Sequence, residues 1–182
     1  MKLPLTYYGD PILRKKCSPV LEINDEIKAL VADMIETMEA SNGIGIAAPQ
    51  VGSSLRIFIT HVSYENDKEE LIEKPLKIFI NPEILDVSID KSIMSEGCLS
   101  IPKVHGEVAR PCTVKVKATN LENCEFIEEF QGLEAHCVLH ENDHINGVLF
   151  IDRMDKKERK EIEKKLRQVK EDYYDKKSTK NK

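Results

Sequence analysis

No apolar run in this chain approaches the roughly 20 residues that a membrane-spanning helix needs, so no span is expected. The opening Met1-Lys2-Leu3-Pro4-Leu5-Thr6 lacks the long apolar segment of a secretory signal and the Arg/Ser-rich character of a transit peptide. An excess of cations is missing too. Twenty-seven Lys and Arg face 32 Asp and Glu, a net charge of −5, and no specific nucleic-acid partner is expected. Cysteine is scarce and unevenly spread: Cys17, Cys98, Cys112, Cys124 and Cys137 are odd in number and irregular in spacing. That excludes a disulfide framework and points to a reducing compartment, the cytoplasm. There is no internal repeat and no second core-sized unit. The 182 residues, 41% apolar and 32% charged, fit one soluble α+β domain. Its expected extent is 1–175, with a flexible basic tail over 176–182.

One stretch stands out in this ordinary background: His140-Glu141-Asn142-Asp143-His144. Histidines four apart fall on one face of a helix, about one turn from each other. Two imidazoles so placed can grip one divalent ion, and the carboxylate after the first can take a proton from water at that ion. The bland alternative is a helix with two surface histidines.

Around this stretch the chain is punctuated. Residues 8–20 read as an irregular arm broken by Gly9, Pro11 and Pro19. Asn24 is placed to cap a helix whose apolar residues run Ile27, Leu30, Val31, Met34, Ile35 and Met38, with Gly43 closing it. Gly43-Ile44-Gly45-Ile46-Ala47-Ala48-Pro49-Gln50 follows, small enough to let another backbone come close. A phosphate loop is disfavoured there: no strand precedes it, no Lys-Ser/Thr follows, and Pro49 spoils the helix start. A packed turn remains the competing reading.

Strands are expected at 55–62 and 77–80, the latter stopped by Asn81-Pro82, with an edge strand over 83–93 and a charged surface excursion at 64–75. Thr113–Ala118 and Glu125–Phe130 read as a hairpin through a turn at 120–124. The motif helix spans 132–146 with Gly147 at its end, and Asp155 opens a last helix with a thin stripe of Ile162, Leu166, Val169 and Tyr173.

Two imidazoles need a third ligand. His136 is excluded, because it lies about 12 Å from His144 along a helix axis. Phe150 stands where one metalloprotease pattern needs a histidine. Glu158, Glu161 and Glu163 lie downstream, in a densely charged helix. Cys98, in Ser95-Glu96-Gly97-Cys98-Leu99-Ser100, is open to three readings: a core thiol, a nucleophile, or the missing ligand.

Taken together, Gly43–Gln50, Glu96-Gly97-Cys98-Leu99-Ser100 and His140–His144 resemble the three signature motifs of peptide deformylases, in the same order. Gly9–Arg14, Asn81-Pro82 and Gly106–Pro111 are also similar to that family. The resemblance implies antiparallel β-sheets packed around a central metal-binding helix, with the chain's last helix at its C-terminal end. It implies removal of the formyl group from N-formylmethionyl nascent polypeptides. Cys98, His140 and His144 would bind the metal, most often Fe2+ in the family, with Zn2+ or Ni2+ able to substitute. Glu141 would be the acid/base, and Gln50 with the Leu99 N–H would hold the oxyanion. Gly45 and Ile44 would pair with the substrate backbone, and Ile44, His136 and Cys137 would border the methionine pocket. Two departures stand out: Leu139 sits where Gln is frequent, and His136 sits where an apolar residue is usual. Competing functions are a zinc peptidase using a downstream glutamate and a binding module that has lost catalysis. The basic C-terminal helix suggests a ribosome contact.

Overall fold

The computed structural model describes residues 1–65 and 68–180. A five-stranded antiparallel sheet forms its middle, in the order β1 (Gly45–Ala47), β2 (Ile57–Thr60), β5 (Lys77–Val87), β8 (Thr113–Thr119), β9 (Glu125–Gln131). Two separate pairs complete the strands: β3 (Ser63–Glu65) with β4 (Leu71–Glu73), and β6 (Lys91–Cys98) with β7 (Ile101–Pro111). The helices are α1 (Asp25–Glu39), α2 (Gly132–Ile145) and α3 (Lys156–Lys180). Among the described residues no helix is long and apolar enough to cross a membrane.

α1 begins where expected. The Asn24 side chain accepts a bond from the Ile27 N–H at 3.0 Å, and Asp25 and Glu26 sit in the first turn, against the positive end of the helix. It buries Val31, Met34 and Met38 against Ile46, Ile57 and Ile59. The strand expected at 77–80 does not stop at Asn81-Pro82. Asn81 takes a left-handed φ of 52°, its side chain bonds both the N–H and C=O of Val20 at 2.8 Å, and the ladder resumes at Glu83. Pro82 lies in a bulge, where the missing N–H costs no ladder bond. The edge strand over 83–93 is likewise not one strand. It breaks at residues 88–90 between β5 and β6, and the chain turns there into a separate hairpin. The excursion at 64–75 contains the β3–β4 pair, and its residues 66–67 lie outside the described part.

α2 follows β9 directly. Gly132 has a φ of 56°, and its N–H bonds the Cys112 carbonyl at 3.0 Å. One face of α2 (Ala135, Val138, Ile145) packs on Phe58, Phe79, Val114, Val116 and Phe130 from the sheet. The opposite face carries His136, His140, Glu141 and His144, also buried. Gly147 ends the helix at a φ of 75°, with the Arg14 carbonyl only 2.5 Å from where a Cβ would stand. α3 seats Leu166, Ile162 and Val169 on Val104, Val108 and Met154. The segment read as a tail at 176–182 is helical as far as Lys180, and 181–182 lie outside the described residues.

Candidate metal centre and cleft

The β6–β7 hairpin delivers Cys98 to α2. The register of β6 and β7 slips between Gly97 and Cys98, and Cys98 pairs with Ile101 across a tight turn. The sulfur is thereby turned toward the helix. Ligand atoms of Cys98, His140 and His144 all lie within 4.8 Å of one another. Cys98 Sγ is 3.2 Å from His144 Nε2, and Gln50 Nε2 reaches the same sulfur at 3.5 Å. Among the described residues this is the one such group, and Glu158, Glu161 and Glu163 are not in it.

The donor set fits a d-block dication. One thiol and two imidazoles are the atoms that zinc or ferrous iron takes, and three ligands leave a position for reactants. Burial disfavours the charged form of the His144 imidazole and holds its pKa well below the usual value, which favours the neutral, ligating form. Beside the cluster, Glu141 Oε2 is buried with no hydrogen-bond partner. Burial, the largest influence on it, pushes the Glu141 carboxyl up to about 7.

Behind the histidines lies a buried ionic network that no reading of the sequence assigned. Arg110 donates from Nε to Glu96 Oε1 at 2.6 Å and from Nη2 to Oε2 at 3.0 Å. His140 Nδ1 meets Glu96 Oε2 at 2.8 Å, and His136 Nδ1 meets Oε1 at 3.2 Å. Burial opposes ionisation of Glu96, but these bonds outweigh it and hold the carboxyl well below the usual range. Asp143 continues the chain, accepting from Arg110 at 2.9 Å and from Arg153 at 2.7 Å. An imidazole donating Nδ1–H to a carboxylate keeps its Nε2 lone pair for an ion, and its ring is fixed. The available signal was the position of Glu96 within the same Glu96-Gly97-Cys98 stretch as the candidate ligand.

The remaining sequence candidates converge here too. Gln50 is 1% exposed, and its Oε1 accepts the Ala47 N–H at 2.7 Å, which leaves the amide Nε2 toward Cys98. Gly45 is packed so closely that a Cβ would stand 2.5 Å from Glu141 Oε1 and 2.9 Å from Cys137 Sγ. Cys137 donates to the Ile44 carbonyl at 3.4 Å, and burial pushes its thiol pKa well up. His136 is buried, with Nε2 3.0 Å from Ser92 Oγ. Ile44, Gly45, Gln50, Cys98, Leu99, His136, Cys137, His140 and Glu141 all line one cleft of about 1060 Å³.

The family model described as polypeptide deformylase matches residues 2–160. The peptide deformylase of Pelodictyon phaeoclathratiforme is 44% identical over 166 residues, 91% of this chain and 86% of the relative. That of Chlorobium luteolum is 42% identical, over 91% of this chain and 85% of the relative. The solved Plasmodium falciparum peptide deformylase superposes with a TM-score of 0.85 at 35% identity, covering 94% of this chain and 97% of that one. An Acinetobacter baumannii peptide deformylase with Met-Ala-Ser bound superposes with a TM-score of 0.79 at 38% identity, covering 85% and 99%. By sequence and by fold, this chain belongs to the polypeptide deformylase family.

Proposed function

We propose that this cleft hydrolyses the N-formyl group of N-formylmethionyl nascent polypeptides and releases formate. The observation that carries the reading is the meeting of Cys98, His140 and His144 beside a buried, unpartnered Glu141 oxygen. Those three residues would hold one divalent ion, Fe2+ by family habit, with Zn2+ or Ni2+ as substitutes. Bound there, such an ion supplies Lewis acidity, which makes water more acidic and polarises a carbonyl oxygen.

The chain's own groups do the rest. Glu141 takes a proton from the attacking water, whose oxygen bonds to the formyl carbon. The negative charge that grows on the formyl oxygen is met by the Gln50 amide and the Leu99 N–H. One such donor is worth about 3–4 kcal/mol in other enzymes. Glu141 then gives its proton to the leaving nitrogen as the carbon–nitrogen bond breaks, so each turnover returns it to its starting state. The fixed orientation of Gln50, with Oε1 spent on Ala47, supports its role as a donor. Ile44 and Gly45 pair with the substrate backbone in extended form. Ile44, His136 and Cys137, which line the cleft, flank the methionine side chain in this reading. The Acinetobacter baumannii relative with Met-Ala-Ser bound supports a methionyl peptide as the occupant.

The place of work is the cytoplasm. All five cysteines are free, which suits a reducing compartment. Contact with the ribosome is assigned to the outer side of α3, where Lys157, Lys160 and Lys164 are exposed. Charge reversal at Lys160 and Lys164 is expected to lower co-sedimentation with ribosomes while leaving small-peptide turnover intact.

The reading is tested by anaerobic purification, metal analysis and assay on matched formylated, acetylated and internal peptides. Formate release from formyl-Met peptides alone is the expected result. Cleavage of internal peptide bonds would instead favour a peptidase.

A further inference from the structure

The cleft is larger than its chemistry requires. A volume of about 1060 Å³ sits at the top of the range of roughly 300–1,000 Å³ that encloses a whole drug-sized ligand. A formyl group and one methionine fill only part of it. The rest extends to α3, which contributes Lys165, Gln168, Val169, Asp172 and Tyr173 to the lining. These positions are spaced by three, one, three and one, the interval of a single helix face. That face is firmly seated. Leu166 is 4% exposed in the cluster with Val104 and Met154, the Tyr173 hydroxyl donates to Asp10, and the rings of Tyr7 and Tyr173 lie 6.4 Å apart.

We propose that this face of α3 is a binding site for the stretch of the nascent chain beyond its first two residues. The inference rests on the deformylase reading of the same cleft. From Lys165 to Tyr173 the helix advances about 12 Å at ~1.5 Å per residue, the span of three to four residues of an extended peptide at ~3.3 Å each. The chemistry suits a peptide backbone. Gln168 Nε2 donates to Asp172 Oδ1 at 3.1 Å, which orients both side chains on the cleft side. The Asp172 carboxylate and the Gln168 carbonyl can accept backbone N–H groups. Lys165, with Lys103 also lining the cleft, can donate to backbone carbonyls. Such contacts read extended backbone and not side-chain identity, as an enzyme acting on every new protein requires.

The test uses the full chain loaded with iron, and the variants Gln168→Ala and Asp172→Ala. Both residues are exposed on α3, so neither substitution threatens the core. Formyl-Met peptides of two to six residues are compared by kcat/KM. For the wild type, kcat/KM rises with length to about five residues. In each variant the longer peptides lose about fivefold, the effect of one hydrogen bond, and the dipeptide loses nothing. A wild type indifferent to length, or variants that lose equally on the dipeptide, would overturn the proposal. Calorimetric binding of the unformylated Met peptides runs alongside. Absence of turnover on every peptide contradicts the deformylase reading, while length-dependent binding that is sensitive to Asp172 still upholds the α3 site.

Discussion

Single residues act here from fixed places, and each side chain's neighbours limit what it can do. In the proposed mechanism Glu141 handles the proton, and it is not among the three residues whose ligand atoms converge. Glu141→Ala is therefore expected to keep one equivalent of metal and lose at least about a hundredfold in kcat, the low end for general acid–base catalysis. Metal analysis beside a turnover assay checks this, and a variant that keeps its kcat contradicts the role. Gly45 tests the same carboxylate from the other side. A Cβ there would crowd Glu141 Oε1 at 2.5 Å, so Gly45→Ala should lower kcat with metal content unchanged. An unaffected kcat would show that the carboxylate can move aside without cost. His136 is the informative departure from the family pattern. Its two ring nitrogens are occupied by Glu96 and Ser92, so it braces the carboxylate that orients His140 as well as bordering the cleft.

Among the elements, α2 and the β6–β7 hairpin bring Cys98, His140 and His144 together, and α3 lines the cleft beside them. Leu166 is the buried anchor of α3, packed with Val104 and Met154. Leu166→Ala is expected to cost about 2–5 kcal/mol, read as a lower thermal midpoint. An unchanged midpoint would mean that the helix does not share the fold's cooperativity. The loop after α2 is tied by Asp152, which accepts from Arg14 and Arg159. Burial opposes its charge, but the Arg14 bond and the Leu149 N–H prevail and lower its pKa below 3.8. A depressed carboxylate stabilises the fold above its unfolded pKa, and that contribution fades as pH falls through the folded value. Asp152→Asn should accordingly be less stable than the wild type at neutral pH, with the gap closing below about pH 4. A gap that persists in acid would assign the effect to packing. These elements differed in how plainly the sequence showed them. Period-3.6 helices with capping residues (Asn24, Asp155, Gly147) were legible because caps and periodicity are local. Asn81-Pro82 misled, because a bulge and a strand end look alike until Val20 supplies the partner. The Ile101–Pro111 strand was hidden by Pro102 and Gly106, residues that ordinarily interrupt a strand pattern. The three residues whose ligand atoms converge, Cys98, His140 and His144, were legible as motifs. The Glu96–Arg110–Asp143 network was not, since its pairs span 14 and 33 positions and only tertiary folding joins them.

In the whole molecule, one sheet, one helix and one hairpin meet to bring a thiol and two imidazoles together next to a buried carboxylate, the arrangement proposed to hold an ion. The most direct measurement is an anaerobic titration of the metal-free protein with Fe2+, following formate release from formyl-Met-Ala-Ser for the wild type and for Cys98→Ser. The account predicts that wild-type turnover rises linearly and saturates at one equivalent. It also predicts that Cys98→Ser, folded by circular dichroism, needs at least about tenfold more free iron, beyond the smallest effects of changing a ligand's neighbours. Formate release that ignores added metal, or a Cys98→Ser titration that overlays the wild type, would contradict it.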